Sequence, residues 1–209
     1  MHQMVVAQCQ LDRLLSEIGR VTLPFKEVPP DQETINRRVD GWPLLAGEVN
    51  GLSYLCEDHG TVFALCWGLL TWVSRELDSL VISSSFDPME EHCQFFVASK
   101  GEFVRAFWSN PRRCTRPYSL GKSLPCETNS PLSARGGTGL KTALKAFGFP
   151  LLDYEQGFDA DRMVTWPGDS AALLEADEMG ESLNNHVRAY PNPAYRPPVA
   201  KVTVRPLDK

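Results

Sequence analysis

The residues able to do chemistry are few and scattered. Nucleophilic and metal-ligating potential rests on four histidines (His2, His59, His92, His186) and six cysteines (Cys9, Cys56, Cys66, Cys93, Cys114, Cys126). Cys56-x-x-His59 and His92-Cys93 together offer four donors of the kind zinc takes. Adjacent strand residues point to opposite faces, so His92 and Cys93 converge on one ion only if no strand has begun there. Cys56, Asp58 and His59 form the best nucleophile–base group, a thiol activated by an imidazole. No helix N-terminus or oxyanion loop is legible beside them. RGGTGLKT (135–142) imitates a phosphate loop, but Leu140 stands where a Walker loop needs Gly before its Lys, so a glycine loop feeding a helix is the plainer reading. The acidic residues single out no pair for glycosidase-type chemistry. No metal, cofactor or catalytic residue is therefore expected.

Charge is more informative. The 209 residues carry 21 Lys and Arg against 26 Asp and Glu, a net charge of -5. Nothing in that balance draws the chain to nucleic acid or an anionic membrane, and neither is an expected partner. The charges segregate. Lys100 to Lys122 holds six basic residues and one acidic, whereas 150–183 holds nine acidic residues and only Arg162 as a base. The plain reading is two solvated surfaces of opposite sign. The sharper one is that the acidic stretch docks a basic partner. Asp153, Glu155, Asp159, Asp161 and Asp169 are then partner-binding candidates. Trp42 and Trp166, beside prolines in apparent loops, join them as aromatic anchors, with Tyr195 a further surface aromatic. Trp67, Trp72 and Trp108 lie in apolar runs and read as core.

With 43% hydrophobic residues, the chain has the composition of a folded globular protein and the length to bury a sizeable core. No run approaches the ~18 apolar residues of a membrane span. The cysteines are scattered, no CxxC occurs, and the start lacks the basic and apolar regions of a signal peptide. A reducing, cytoplasmic setting is expected. Met4, Ala7, Leu11, Leu14, Leu15 and Ile18 predict an amphipathic helix stopped by Gly19. A short helix over 31–38 follows, then short strands or loops over 41–60. Residues 61–67 predict a buried strand, and Leu69, Leu70, Val73 and Leu77 a helix with Ser74 outward. Leu80 to Phe86 alternates as a strand. Lys100-Gly101 predicts a tight hairpin turn that pairs Val97 with Val104, Phe95 with Ala106 and Cys93 with Trp108. That register puts three phenylalanines on the hairpin's second face, to be covered by the protein's own helices. Residues 110–127 read as loop. Thr138 to Ala146 predicts a helix ended by Gly148, and the segment beyond Gly168 an acidic helix. The expected organisation is one α+β domain over 1–183, a central, mainly antiparallel sheet with flanking helices. A proline-rich extension over 184–209, carrying a late edge strand at 199–204, completes the chain.

The order of elements over 61–127 resembles a recurring arrangement in bacterial immunity proteins, the small cytoplasmic antitoxins encoded beside polymorphic or type VI-secreted toxins. Two motifs carry the likeness: a hairpin with a polar-Gly turn and a Val-Arg pair (Val104-Arg105), and a Gly-x-x-Leu-Pro-x-Glu end (Gly121 to Glu127). The resemblance covers about a third of the chain. It implies an α+β fold and function by binding, and brings no catalytic residue. On that basis the expected activity is neutralisation of a cognate toxin that acts in the cytosol, by occluding its active site. The alternatives are a cysteine-dependent hydrolase using Cys56 and His59, and a small-molecule sensor with its ligand between the hairpin's Phe-rich face and a helix.

Overall fold

A computed structural model describes residues 2–28, 42–57, 66–87, 89–133, 137–148, 162–167 and 178–194. The chain runs through β1 (His2–Ala7), α1 (Leu11–Val21), β2 (Lys26–Val28), β3 (Trp42–Val49), β4 (Leu52–Glu57), α2 (Trp67–Glu76), β5 (Leu80–Asp87), β6 (His92–Ser99), β7 (Glu102–Ser109), β8 (Tyr118–Gly121), a 3-10 turn (Pro125–Thr128), α3 (Thr138–Ala146), β9 (Arg162–Trp166) and α4 (Glu178–Ala189). The described strands form one sheet in the order β2-β9-β3-β4-β1-β5-β6-β7-β8. Every neighbouring pair is antiparallel. The fold is α+β, as expected. Among the described residues no helix is long and apolar enough to cross a membrane.

The sheet separates two cores. Val5, Ala7, Leu55, Phe96, Ala98 and Trp108 face one side, where α1, α2 and α4 pack through Leu14, Ile18, Trp67, Leu70, Val73 and Leu183. Met4, Val6, Tyr54, Ile82, Phe95 and Val97 face the other, against Leu132 and, from α3, Leu140, Ala143 and Leu144. Strands buried on both faces read as continuous apolar runs. This is why Met4 and Ala7, expected on a helix, belong to β1 instead. Helix α1 begins only at Leu11, whose N–H donates to the Glu48 carboxylate at 2.5 Å, a negative charge at the helix's positive end. It also runs past Gly19. That glycine is no stop: a Cβ there would lie 3.2 Å from Pro24 Cα, so it admits the departing chain.

Two hairpins frame the sheet's centre. Asn50-Gly51 joins β3 to β4 and Lys100-Gly101 joins β6 to β7, all four residues at positive φ (52, 76, 52 and 82°). This is the geometry of a two-residue hairpin loop matched to strand twist. The second turn was expected, and Ser99 does pair with Glu102. A bulge between Val97 and Ala98 then shifts the register, so Val97 pairs with Arg105, Phe95 with Phe107 and Cys93 with Ser109. The expected single apolar face is thus split: Cys93, Phe95 and Val97 point to one core, Ala106 and Trp108 to the other. Both faces are covered by the protein's own elements, as expected.

Other expectations change more simply. Trp67 opens α2 rather than closing a strand, and residues 61–65 lie outside the described ones, as do 31–38 and 195–209. Ser74 is buried, not outward: its hydroxyl donates to Thr71 O and accepts the Gly101 N–H at 2.9 Å, pinning the hairpin turn to α2. Within the expected loop after Asn110, Tyr118 to Gly121 pairs with β7 as β8. Helix α3 spans the expected residues and buries Leu140, Ala143 and Leu144, with Gly137 as N-cap and Gly148 at φ 80° after it. Helix α4 crosses the expected boundary at 183–184. Leu183 is core, Val187 packs on it, and Pro191 bridges to Cys114, so this start of the proposed extension is part of the domain.

Candidate partner-binding cleft

At the β2–β9 edge of the sheet, α1 and the Pro24–Phe25 exit leave an open cleft of about 560 Å³. Leu15, Phe25 and Val164 give it apolar walls, and Asp12, Arg20, Glu27 and Arg162 its charged rim. Arg162 donates from Nη1 to Asp12 and from Nη2 to Glu27, tying α1, β2 and β9 together. The bond to Asp12 first, then Glu27, raises the guanidinium pKa against the effect of burial. Arg20 reaches Glu76 Oε2 at 2.6 Å and Glu17 at 3.2 Å, with its guanidinium 4.9 Å from the centre of the Trp72 ring. Arg20 in turn is the main reason the Glu76 carboxyl lies below its usual value. Asp12 and Glu27 have side chains 83% and 70% exposed, so water remains at the rim and these pairs guide shape more than they stabilise.

The expected partner residues relate to this cleft in different ways. Asp153, Glu155, Asp159, Asp161 and Asp169 lie outside the described residues. β9 begins one residue after Asp161 and ends three before Asp169, so the strand they flank supplies Arg162 and Val164 to the cleft. Trp166 is a correction. It is a strand residue, 2% exposed, and its Nε1–H donates to Thr22 Oγ1 at 3.2 Å. It fastens β9 to the end of α1 and cannot be an exposed anchor. Trp42 is likewise in a strand, at the start of β3 opposite Trp166, and not in a loop.

The chemical candidates are shielded. Cys56 is 2% exposed within β4, and His59 lies outside the described residues. A thiol so placed is not offered to a substrate. His92 and Cys93 fall on a strand after all and face opposite cores. Burial drives the Cys93 thiol up to about 12, opposed by a backbone hydrogen bond at Ser133. Burial drives His92 down to about 4, opposed by Asp87 and reinforced by Arg113. His92 sits edge-on to Trp108, with Nδ1 3.4 Å from Ser85 Oγ. Among the described residues no three His, Cys, Asp or Glu side chains group as a metal would need. On the hairpin's Phe-rich face, Phe96 stacks on Trp67 of α2 at 5.7 Å and meets Phe103 at 6.2 Å.

One pair escaped the sequence reading although both members were in view. Arg105 and Glu127, from the two motifs behind the family resemblance, form a buried bidentate ion pair, Nε to Oε1 and Nη2 to Oε2, both 2.9 Å. Their side chains are 3% and 6% exposed. Nη1 of Arg105 also donates to Ala106 O, Ser119 Oγ and Leu120 O, each at 2.8 Å, and Glu127 Oε1 accepts the Leu124 N–H. Burial would raise the Glu127 pKa, but the hydrogen bonds from Arg105 and Leu124 and the arginine's charge together bring it below the usual value. The available signal was an arginine inside an apolar strand, which needs a buried partner. The pair acts as a staple between β7, β8 and the 3-10 turn.

No protein-family model, curated protein or solved structure matches the chain.

Proposed function

We propose that the protein is an immunity protein, which binds a cognate toxin in the cytosol and blocks it by covering its active site. The observation that carries this reading is the run of carboxylates in the sequence on either side of β9, the strand next to the edge strand β2. Of the nine acidic residues over 150–183, seven lie in the sequence just before or after β9 and two on α4, and β9 itself helps line an open cleft whose rim adds Asp12 and Glu27. A toxin that works on nucleic acid or a nucleotide presents a basic cleft, and an acidic surface speeds encounter with it and fits it by charge. Burial of Cys56, Cys93 and His92 supports action by binding. So does the Arg105–Glu127 staple, which makes one rigid unit of the two motifs that resemble immunity proteins. A cysteine-dependent hydrolase gains nothing from these positions.

The test is growth rescue. Co-expression with the toxin encoded by a neighbouring gene should restore growth, and the two chains should co-purify. Reversing Asp153, Glu155, Asp159 and Asp161 to Lys should slow association at least tenfold at low salt and flatten its salt dependence. An unchanged association rate refutes docking through the acidic stretch. Turnover of a compound by the purified chain, abolished by one Cys or His substitution, refutes the whole reading.

A further inference from the structure

At the β8 edge of the sheet the exposed charge is basic. The loop 110–117 and the end of α4 are far apart in the chain and are tied together by backbone contacts. Thr115 N–H donates to Tyr190 O at 2.9 Å and Asn192 N–H to Arg113 O at 3.0 Å. His186 Nε2 lies 3.1 Å from Arg116 O, which requires that nitrogen to carry the proton. The result sets the exposed Arg112, Arg113 and Arg116 of one short loop against the end of α4, where Arg188 is also exposed, and exposed Lys122 follows β8. Residues 110–123 and 182–194 contain no Asp or Glu. Glu90 lies 3.4 Å from Arg112, with both side chains more than half exposed, and α4 carries Glu178 and Glu181 in its first turn. At the centre stands Tyr190, 37% exposed, its ring 4.8 Å from the Arg116 guanidinium carbon and 4.9 Å from the His186 ring. A guanidinium at this distance from an aromatic ring is attracted to it, and Arg116 remains exposed to solvent.

From this arrangement we infer a second docking surface, which takes a short acidic segment of a partner protein. Two features select that occupant. The cations are mostly arginines, whose planar forks match carboxylates two bonds at a time. The molecule as a whole is acidic at -5, which repels a long polyanion but acts little on a short segment held within a Debye length of the patch. The surface lies at the edge opposite β9, so this contact does not depend on the toxin reading.

The probe is a fluorescein-labelled octapeptide of alternating Glu and Ser, titrated with the intact protein and followed by anisotropy. A labelled dT12 oligonucleotide and a Lys-Ser octapeptide serve as comparators. Saturable binding of the acidic peptide is expected, weakening as salt rises from about 0.05 to 0.3 M. The double variant Arg112→Glu, Arg116→Glu should weaken it about 30-fold, from two exposed charge contacts. Its thermal melting should match the parent, and R112E alone replaces it if it does not. Arg116→Lys, which keeps the charge and loses the fork, should weaken binding by a smaller, measurable factor. Three results overturn the inference: no saturation by millimolar peptide, unchanged affinity in the charge-reversed variant, or tighter binding of dT12 than of the peptide.

Discussion

Neutralising Glu127 tests the staple under the family-like motifs most directly. Glu127→Gln keeps shape and removes charge, leaving the Arg105 guanidinium 3% exposed with no counter-ion. Removing one partner of a buried pair costs about 3–5 kcal/mol. Total stability is of order 5–15 kcal/mol, so the loss would be visible as a large fall in the urea midpoint, read by the fluorescence of buried Trp67 and Trp108. Arg105→Met should cost at least as much, because it also releases the bonds to Ser119 Oγ and Leu120 O that hold β8. Amide exchange over 118–121 should rise in that variant and less so in E127Q. The double variant Arg105→Met, Glu127→Leu removes both charges and should cost clearly less than the sum of the singles. The pH dependence has a definite sign. The Glu127 pKa is lower folded than unfolded, so its contribution is full above the ordinary glutamate value and is lost as pH falls through the folded one. A cost below 1 kcal/mol for E127Q, or strict additivity in the cycle, would refute the argument that these charges depend on each other.

Three further outcomes follow from the same structure. His92 titrates near 4 folded against 6.5 unfolded; a base held neutral stabilises fully above 6.5 and loses that contribution as pH falls toward 4, about 3 kcal/mol in all. Urea midpoints from pH 7 to 4 should fall less steeply in His92→Gln than in the parent, and equal slopes would contradict the assignment. Trp166→Phe removes the bond to Thr22 and should lower stability by about 1 kcal/mol while leaving toxin association unchanged; a specific loss of association would restore Trp166 as a contact residue. In the native protein, the half-buried Cys9 and Cys126 should react with a thiol reagent well before the buried Cys56 and Cys93, and early labelling of Cys56 would reopen the hydrolase reading.

Elements whose cause is local were legible in the sequence. The Lys100-Gly101 turn, α2, α3 and the alternation of β5 each follow from period and turn chemistry within a dozen residues. Errors arose where a distant group decides. Met4 and Ala7 satisfy helical spacing, but β1 lies between β4 and β5 with a core on each face, and six residues are too few to separate the two periods. The bulge beside Val97 moves Arg105 to where Glu127 waits, 22 positions on; no local pattern announces it. Ser74 looks like a surface residue until the Gly101 N–H needs an acceptor. Trp166 reads as loop because Pro167 follows, yet β9 is sandwiched between β2 and β3. The cleft was illegible for the same reason, since Asp12, Glu27 and Arg162 meet only through pairing across the whole chain. The acidic stretch, by contrast, was plain in composition alone.

The placement of the two charged regions bears on whether both can act. β9 and β8 are seven strand intervals apart in the sheet order, and strands lie about 4.8 Å apart, so the two edges are separated by roughly 34 Å. At physiological ionic strength the Debye length is about 8 Å. The field of the basic patch beside β8 has therefore decayed several-fold over before it reaches β9. An acidic stretch close in sequence to β9 gains no benefit from that patch unless the chain brings it across. If both contacts exist, they should add: reversing the carboxylates near β9 and the arginines beside β8 should change binding of their respective partners independently, with a coupling near zero. A large coupling would mean that the two regions meet, and that the opposite charges hold this protein closed on itself rather than open to two partners.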